Sequence, residues 1–155
     1  MPESRFHACE LKEDAMSYLK RSAANCAGCL GCTLACSFEH FDYFDADKSR
    51  IRINMDEETS EIEICQCIQC PERSCVEACP VGALTINEEY GYIKHDEKIC
   101  IQCQKCVKAC NYKGVYWDCA RNYPLICDLC EGDPQCVKPC KLHAALIIQG
   151  KVNAK

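Results

Sequence analysis

The stretch Cys100-Ile-Gln-Cys103-Gln-Lys-Cys106-Val-Lys-Ala-Cys110 decides the fold, because it sets four thiols at the spacing C-x2-C-x2-C-x3-C. The same spacing occurs earlier at Cys26, Cys29, Cys32 and Cys36. Two further groups are looser: Cys67, Cys70, Cys75 and Cys79, the last followed by Pro80, and Cys127, Cys130, Cys136 and Cys140. The closing interval never changes, and its filling barely does: Cys32-Thr-Leu-Ala-Cys36, Cys75-Val-Glu-Ala-Cys79, Cys106-Val-Lys-Ala-Cys110 and Cys136-Val-Lys-Pro-Cys140. Cys-Ile-Gln-Cys stands at both 67 and 100. One half-motif is therefore repeated over residues 26–36, 67–79, 100–110 and 127–140.

The spacing points to a chemistry. Three thiolates a few residues apart can wrap a loop round one corner of an iron-sulfur cubane, while the fourth starts a helical turn and points away toward a second one. Sixteen of the 19 cysteines then supply four 4Fe-4S clusters with none short. Zinc modules also use C-x2-C pairs, but they set two pairs roughly 15–20 residues apart. A disulfide framework fits poorly with an odd number of cysteines and with an N-terminus where Glu3, Glu10, Glu13 and Asp14 interrupt any export signal. A cytoplasmic location is expected. Which motifs pair is not set by spacing, since a sequential order (first with second, third with fourth) and a nested one (second with third, first with fourth) each join a short motif to a longer one.

The four motifs, the Cys79-Pro80 ending of the second, and the run Cys127-Asp-Leu-Cys130-Glu-Gly-Asp-Pro-Gln-Cys136-Val-Lys-Pro-Cys140 resemble the four-cluster ferredoxin subunits of molybdenum or tungsten oxidoreductases, hydrogenases, formate dehydrogenases and carbon monoxide dehydrogenases. Within that group the chain is most similar to the small subunit of tungsten enzymes of the aldehyde ferredoxin oxidoreductase type, including the benzoyl-CoA reductase type. The resemblance covers residues 26–148 and implies nested ligation. One cluster would take Cys26, Cys29, Cys32 and Cys140, a second Cys67, Cys70, Cys75 and Cys110, a third Cys100, Cys103, Cys106 and Cys79, and a fourth Cys127, Cys130, Cys136 and Cys36. Proline follows only one of the four closing cysteines, and His143 stands where the second motif has Gly82. Ligation survives these departures, because proline shapes the turn and supplies no ligand.

The rest of the chain agrees with a cofactor-filled interior. The hydrophobic share of 48% includes cysteine, which alone is about 12% of the 155 residues, and Ile, Leu, Val and Phe together make up only about 20%. Arg50–Asn54 and Glu61–Cys65 alternate as strands do, and Thr85-Ile86 faces Tyr92-Ile93 as a hairpin. Short helices are expected after each fourth cysteine, as at Ala144–Ile148. The fold class is α+β: tandem bacterial-ferredoxin-like halves with short hairpins and short helices packed around four clusters. Residues 1–24 form an arm in which Leu11, Ala15, Tyr18 and Leu19 recur at helical spacing, residues 25–150 form the four-cluster domain, and 151–155 a tail. The spare cysteines Cys9, Cys65 and Cys119 are read as core packing, against a small zinc site that would recruit His7 or His40. Tyr112, Tyr116 and Trp117 are read as cover that keeps water from a cluster. Each of Lys105, Lys108, Lys138 and Lys141 is first a solvated charge, and collectively they are available to offset cluster charge.

The expected function is electron transfer without catalysis: no catalytic residue set, pterin site or dinucleotide fingerprint is present. The implied partners are a catalytic oxidoreductase subunit, in a hetero-oligomer, and a further redox carrier. The acidic balance, −5 overall, disfavours nucleic acid, and the longest apolar run, Ala144–Ile148, is far short of the about 20 residues a membrane span needs. A free polyferredoxin and a zinc-binding interaction module are the rival readings.

Overall fold

The computed structural model describes residues 17–142 and 145–150. Each Cys-x3-Cys interval is one turn of helix, so its cysteines stand at i and i+4 on one face. Helix α1 (Gly31–Phe41) carries Cys32 and Cys36, α2 (Ser74–Glu77) carries Cys75, and α3 (Lys105–Ala109) carries Cys106 with Cys110 at its C-terminal cap. In the fourth motif the turn is opened into 3-10 segments at Leu129–Gly132, Gln135–Val137 and Pro139–Leu142. The helices thus begin at the third cysteine of a motif instead of following the fourth.

Eight short strands pair into four two-stranded antiparallel sheets among the described residues. These are β1 (Tyr18–Arg21) with β8 (Leu146–Gln149), β2 (Ile51–Met55) with β3 (Ile62–Gln66), β4 (Leu84–Ile86) with β5 (Ile93–His95), and β6 (Val115–Asp118) with β7 (Tyr123–Ile126). The expected hairpins at 50–65 and 85–93 are present. Two expectations fail at the chain ends: residues 18–21 and 146–149 are strands, not helices. Short apolar runs are ambiguous between the two states. Here the ambiguity is resolved by mutual pairing, with Leu19 opposite Ile148 and Arg21 opposite Leu146, and Tyr18 Oη bonded to Gln149 Oε1. The remainder of the expected N-terminal helix, including Leu11 and Ala15, lies outside the described residues, as do Cys9, His7, His143 and Ala144.

Two core clusters result. Leu19, Ile51, Ile64, Tyr92, Leu129, Ala145 and Leu146 surround Cys32, Cys36 and Cys136 from the first and fourth motifs. Leu84, Ile93, Val115 and Ile126 surround Cys67, Cys75 and Cys106 from the second and third. α1 packs on the Gln135–Val137 turn, and α2 packs on α3, so the outer motifs meet each other and so do the inner ones. The two lobes are tied by Lys48 Nζ donating to Asp118 Oδ1 at 2.6 Å and by Cys127, which packs against both cores.

Gly114 occupies the tightest junction in the inner lobe. A Cβ there would stand 2.5 Å from Cys67 Cα and 2.6 Å from Cys67 N, both of them backbone atoms that cannot swing away. Gly114→Ala should therefore lower stability by about 1–3 kcal/mol, as overpacking does, and anaerobic thermal unfolding of the loaded protein reads the change.

Candidate metal centres

The four repeats share a backbone device. The residue two positions after each first cysteine lies in the left-handed region: Gly28 (φ 66°), Gln69 (53°), Gln102 (60°) and Leu129 (54°). A second left-handed residue precedes each helix, Leu30 (58°), Arg73 (49°) and Gln104 (59°), with Glu131 (56°) in the fourth motif. Only one of these eight is glycine, so non-glycine side chains carry the backbone strain at the others. Left-handed residues set into a tight loop can turn N–H groups inward and form a concavity suited to an anion; in the fourth motif Leu129, Cys130 and Glu131 are left-handed in succession. The loops are shaped as anion cradles before any side chain is considered.

The thiols converge in quartets. One cavity is walled by Cys26, Cys29, Cys32 and Cys140 beside Leu30, Ile53 and Ile64. A second is walled by Cys79, Cys100, Cys103 and Cys106, with Trp117 and Pro124 closing one side. A third is walled by Cys36, Cys127, Cys130 and Cys136. Cys67, Cys70, Cys75 and Cys110 are electrostatic neighbours of one another, Cys75 acting on Cys67 and both Cys70 and Cys110 on Cys75. Backbone amides point at the sulfurs: Arg50 N–H to Cys36 Sγ (3.3 Å), Gln69 N–H to Cys67 Sγ (3.4 Å), Ala83 N–H to Cys79 Sγ (3.2 Å) and Gly114 N–H to Cys110 Sγ (3.3 Å).

Burial opposes ionisation of these thiols. It pushes Cys32, Cys75 and Cys106 up to about 11 and Cys67 and Cys130 up to about 12, and it holds Cys127 and Cys136 well above the ordinary thiol range. Two closing cysteines go the other way. Burial also raises Cys36, but a bond with His40 and the Arg50 amide outweigh it; Cys79 is lowered against burial by the N–H groups of residues 81–84. Sulfur donors set in amide cradles, with thiols too buried to ionise unaided, fit a cationic metal centre that takes thiolates.

Several side chains that support the quartets escaped the sequence reading. Gln69 is fully buried; its Nε2 donates to Cys127 C=O at 2.6 Å and its Oε1 accepts the Ile93 N–H at 3.2 Å and an Arg73 N–H. It ties the second motif to the fourth across the lobe boundary. Asp128 accepts from His40 Nε2 (3.1 Å) and pairs with Arg50, which carries cationic partners to the edge of the third cavity. Repetition alone could have flagged Gln69, because Gln follows Cys-Ile in two motifs. Among the described residues His40 bonds Asp128 and Cys36, and neither Cys65 nor Cys119. Cys65 is buried, as expected, whereas Cys119 is exposed in the turn between β6 and β7 and does not pack in the core. Trp117 covers a cavity as expected; Tyr116 instead donates to Cys65 C=O at 2.8 Å beneath the Arg52 guanidinium, 4.2 Å from its ring centre.

The 4Fe-4S dicluster domain family matches residues 66–115, the span of the inner lobe's two motifs. The chain is 40% identical over 116 residues to the polyferredoxin-like subunit of aliphatic sulfonate oxidoreductase of Pyrococcus furiosus, covering 74% of this chain and 66% of that one. It is 36% identical to the beta subunit of NADH-dependent phenylglyoxylate dehydrogenase of Aromatoleum evansii, over 85% of this chain and 30% of that one. With YsaA of Escherichia coli (strain K12), named for electron transport, it shares 31% identity over 82% of this chain and 86% of YsaA. The chain belongs to the polyferredoxin-like 4Fe-4S electron-transfer family. It spans less than two thirds of the first two relatives, which are subunits of larger oxidoreductases. A chain of the BamBC active-site complex of benzoyl coenzyme A reductase, as isolated, has the same fold, with a TM-score of 0.51 and 22% identity over 90% of this chain and 81% of that one.

As a member of this family the protein carries 4Fe-4S clusters and transfers electrons. No helix among the described residues is long and apolar enough to cross a membrane. Gln69→Leu leaves the Cys127 carbonyl and the Ile93 N–H without their buried partner, so it should destabilise the loaded protein by about 1–3 kcal/mol. Denaturant unfolding under anaerobic conditions measures the loss, and iron analysis at the start should match the unaltered protein.

Proposed function

We propose that sixteen cysteines hold four 4Fe-4S clusters in the nested order and that the chain passes single electrons along them between a catalytic subunit and a second redox carrier. The observation that carries the ligand sets is the composition of the cavity walls: three of the four expected quartets each line one cavity, with the members of the fourth as mutual neighbours. The family match over residues 66–115 lends separate support, since it treats the second and third motifs as one two-cluster unit. When bound, the clusters supply one-electron redox capacity; the chain supplies thiolates, inward N–H groups and apolar cover.

The neighbour relations among thiols give an order. Cys32 acts on Cys136 within the outer lobe, Cys67 on Cys127 across the boundary, and Cys75 on Cys106 within the inner lobe. The path therefore runs from the quartet of Cys26 to that of Cys127, then to those of Cys67 and Cys100. Its two ends carry the exposed ligands Cys29 and Cys103. A wire with accessible ends and a buried middle suits a protein that sits between two redox partners. The catalytic partner is read as a tungsten- or molybdenum-pterin subunit on the resemblance carried by the four cysteine motifs, and relatives that are subunits of larger oxidoreductases agree with a catalytic partner. Residues 25–150 act as one four-cluster unit in the cytoplasm, with no substrate chemistry of their own.

Anaerobically purified protein should contain about 16 iron and 16 acid-labile sulfide atoms per chain. Cys79→Ala should then cost the cluster whose other ligands are Cys100, Cys103 and Cys106, reducing the count to about 12 iron; loss of the signal built on Cys26, Cys29 and Cys32 would refute the nested pairing. Co-elution with a tungsten- or molybdenum-containing chain supports the subunit role, whereas a lone monomer counts against it. Because cysteines are built into both core clusters, stripping the iron should abolish cooperative thermal unfolding, read by circular dichroism.

A further inference from the structure

The tetrapeptide Cys-Ile-Gln-Cys occupies two contrasting environments. At 67–70 it is roofed by the fourth motif: Gln69 is 0% exposed and its amide donates to the Cys127 carbonyl at 2.6 Å. At 100–103 the third residue is again left-handed, with Gln102 at φ 60° against 53° for Gln69. Yet Gln102 and Cys103 are exposed, Ile101 is 58% exposed and Ile99 47%, and the Gln102 side chain makes no hydrogen bond to the described residues. Two loops with one sequence and the same left-handed Gln thus offer the same side chains, one to the fourth motif's loop and one to solvent.

The bare loop also has its own charge. Residues 98–113 contain Lys98, Lys105, Lys108 and Lys113 and no acidic residue, and with the exposed Asp96 and Glu97 that immediately precede them residues 96–113 still carry a net +2 in a chain with a net charge of −5. Lys98, Lys105 and Lys108 are exposed, while Lys113 pairs with Glu63 at 3.7 Å. An apolar centre with a cationic rim complements an anionic surface that has an apolar contact point. A cluster-binding loop of an acidic iron-sulfur protein has that character, since a four-thiolate cubane is itself anionic.

We propose that the Ile99–Lys105 loop docks an acidic iron-sulfur protein as the fourth motif docks on the second: the partner's cluster loop seats over Ile101, and Gln102 donates to a main-chain carbonyl beside one of its ligand cysteines. The inference rests on the four-cluster reading, because the docked face is the outer wall of the Cys79, Cys100, Cys103 and Cys106 quartet.

Stopped-flow reduction of the fully loaded protein tests this, with either a pre-reduced acidic two-cluster bacterial ferredoxin or reduced methyl viologen as electron donor. Lys98→Glu combined with Ile99→Ser should slow reduction by the ferredoxin about tenfold at low salt and flatten its salt dependence, as expected for a rim charge that steers encounter. The viologen rate should not fall. An unchanged ferredoxin rate, an equal fall with both donors, or a wild-type protein that viologen reduces but the ferredoxin does not would overturn the proposal. So would a dimer of this chain that blocks the loop, seen by size exclusion. Iron and sulfide counts separate the two levels: a wild-type protein lacking the Cys100 cluster overturns the four-cluster reading and the docking proposal with it, whereas a full complement with any of the adverse rates overturns the docking alone.

Discussion

A thiolate buried in a small protein is an anion without water, and the rest of this structure answers that problem. Burial alone drives most of the cysteine thiols toward their neutral forms, several to about 11 or 12. The chain answers with N–H groups: paired left-handed residues in every motif loop, and amides aimed at Cys36, Cys67, Cys79 and Cys110. Backbone amides cannot neutralise such charges by themselves. A metal must supply the balance, so loading and folding are one equilibrium. The sparse aliphatic core follows from the same fact, because the two core clusters are assembled around cysteines as much as around Leu and Ile.

Nesting has a consequence for the path to the native state. The inner lobe draws on residues close in sequence, with α2 against α3 and the family match confined to 66–115. The outer lobe joins the two ends of the described chain, pairing β1 with β8 and setting Cys140 beside Cys26, Cys29 and Cys32. Its contacts have high sequence separation and so carry a greater loop-closure cost. In the nested reading the first motif lacks its fourth ligand until Cys140 arrives, so the inner lobe is the natural nucleus and the outer lobe closes over it.

The motifs, the α+β class and the two hairpins at 50–65 and 85–93 were legible because each leaves a local signature: fixed cysteine intervals, or alternation with period two. The β1–β8 pair was not, since Tyr18–Arg21 and Leu146–Gln149 become strands only through each other, and Leu19 or Ile148 alone suits a helix equally well. Cys119 was misread for a related reason. Thiols are usually buried, but this one falls in the β6–β7 turn, where position overrides composition. Gln69 and the Arg50–Asp128–His40 group are polar residues whose partners lie across lobes or 88 positions away, and no interval in the sequence announces such a bond.

The four repeats share their closing interval but not their surroundings, and that inequality bears on how electrons move. An added electron is an added charge, so burial disfavours reduction by the same physics that raises a thiol pKa. On this ground alone the middle of the proposed path, where burial raises Cys67, Cys127 and Cys136 most strongly, would be harder to reduce than its ends at the exposed Cys29 and Cys103. The quartet of Cys36 and Cys127 is also the one bordered by Arg50 and His40, cations that lower the cost of negative charge there. Their own partner, Asp128, stands between them and limits that effect. In the proposed path these cations oppose the desolvation of the middle, while Lys98, Lys105 and Lys108 stand beside its exposed Cys100 end, so positive charge at both places offsets part of the cost of an added electron.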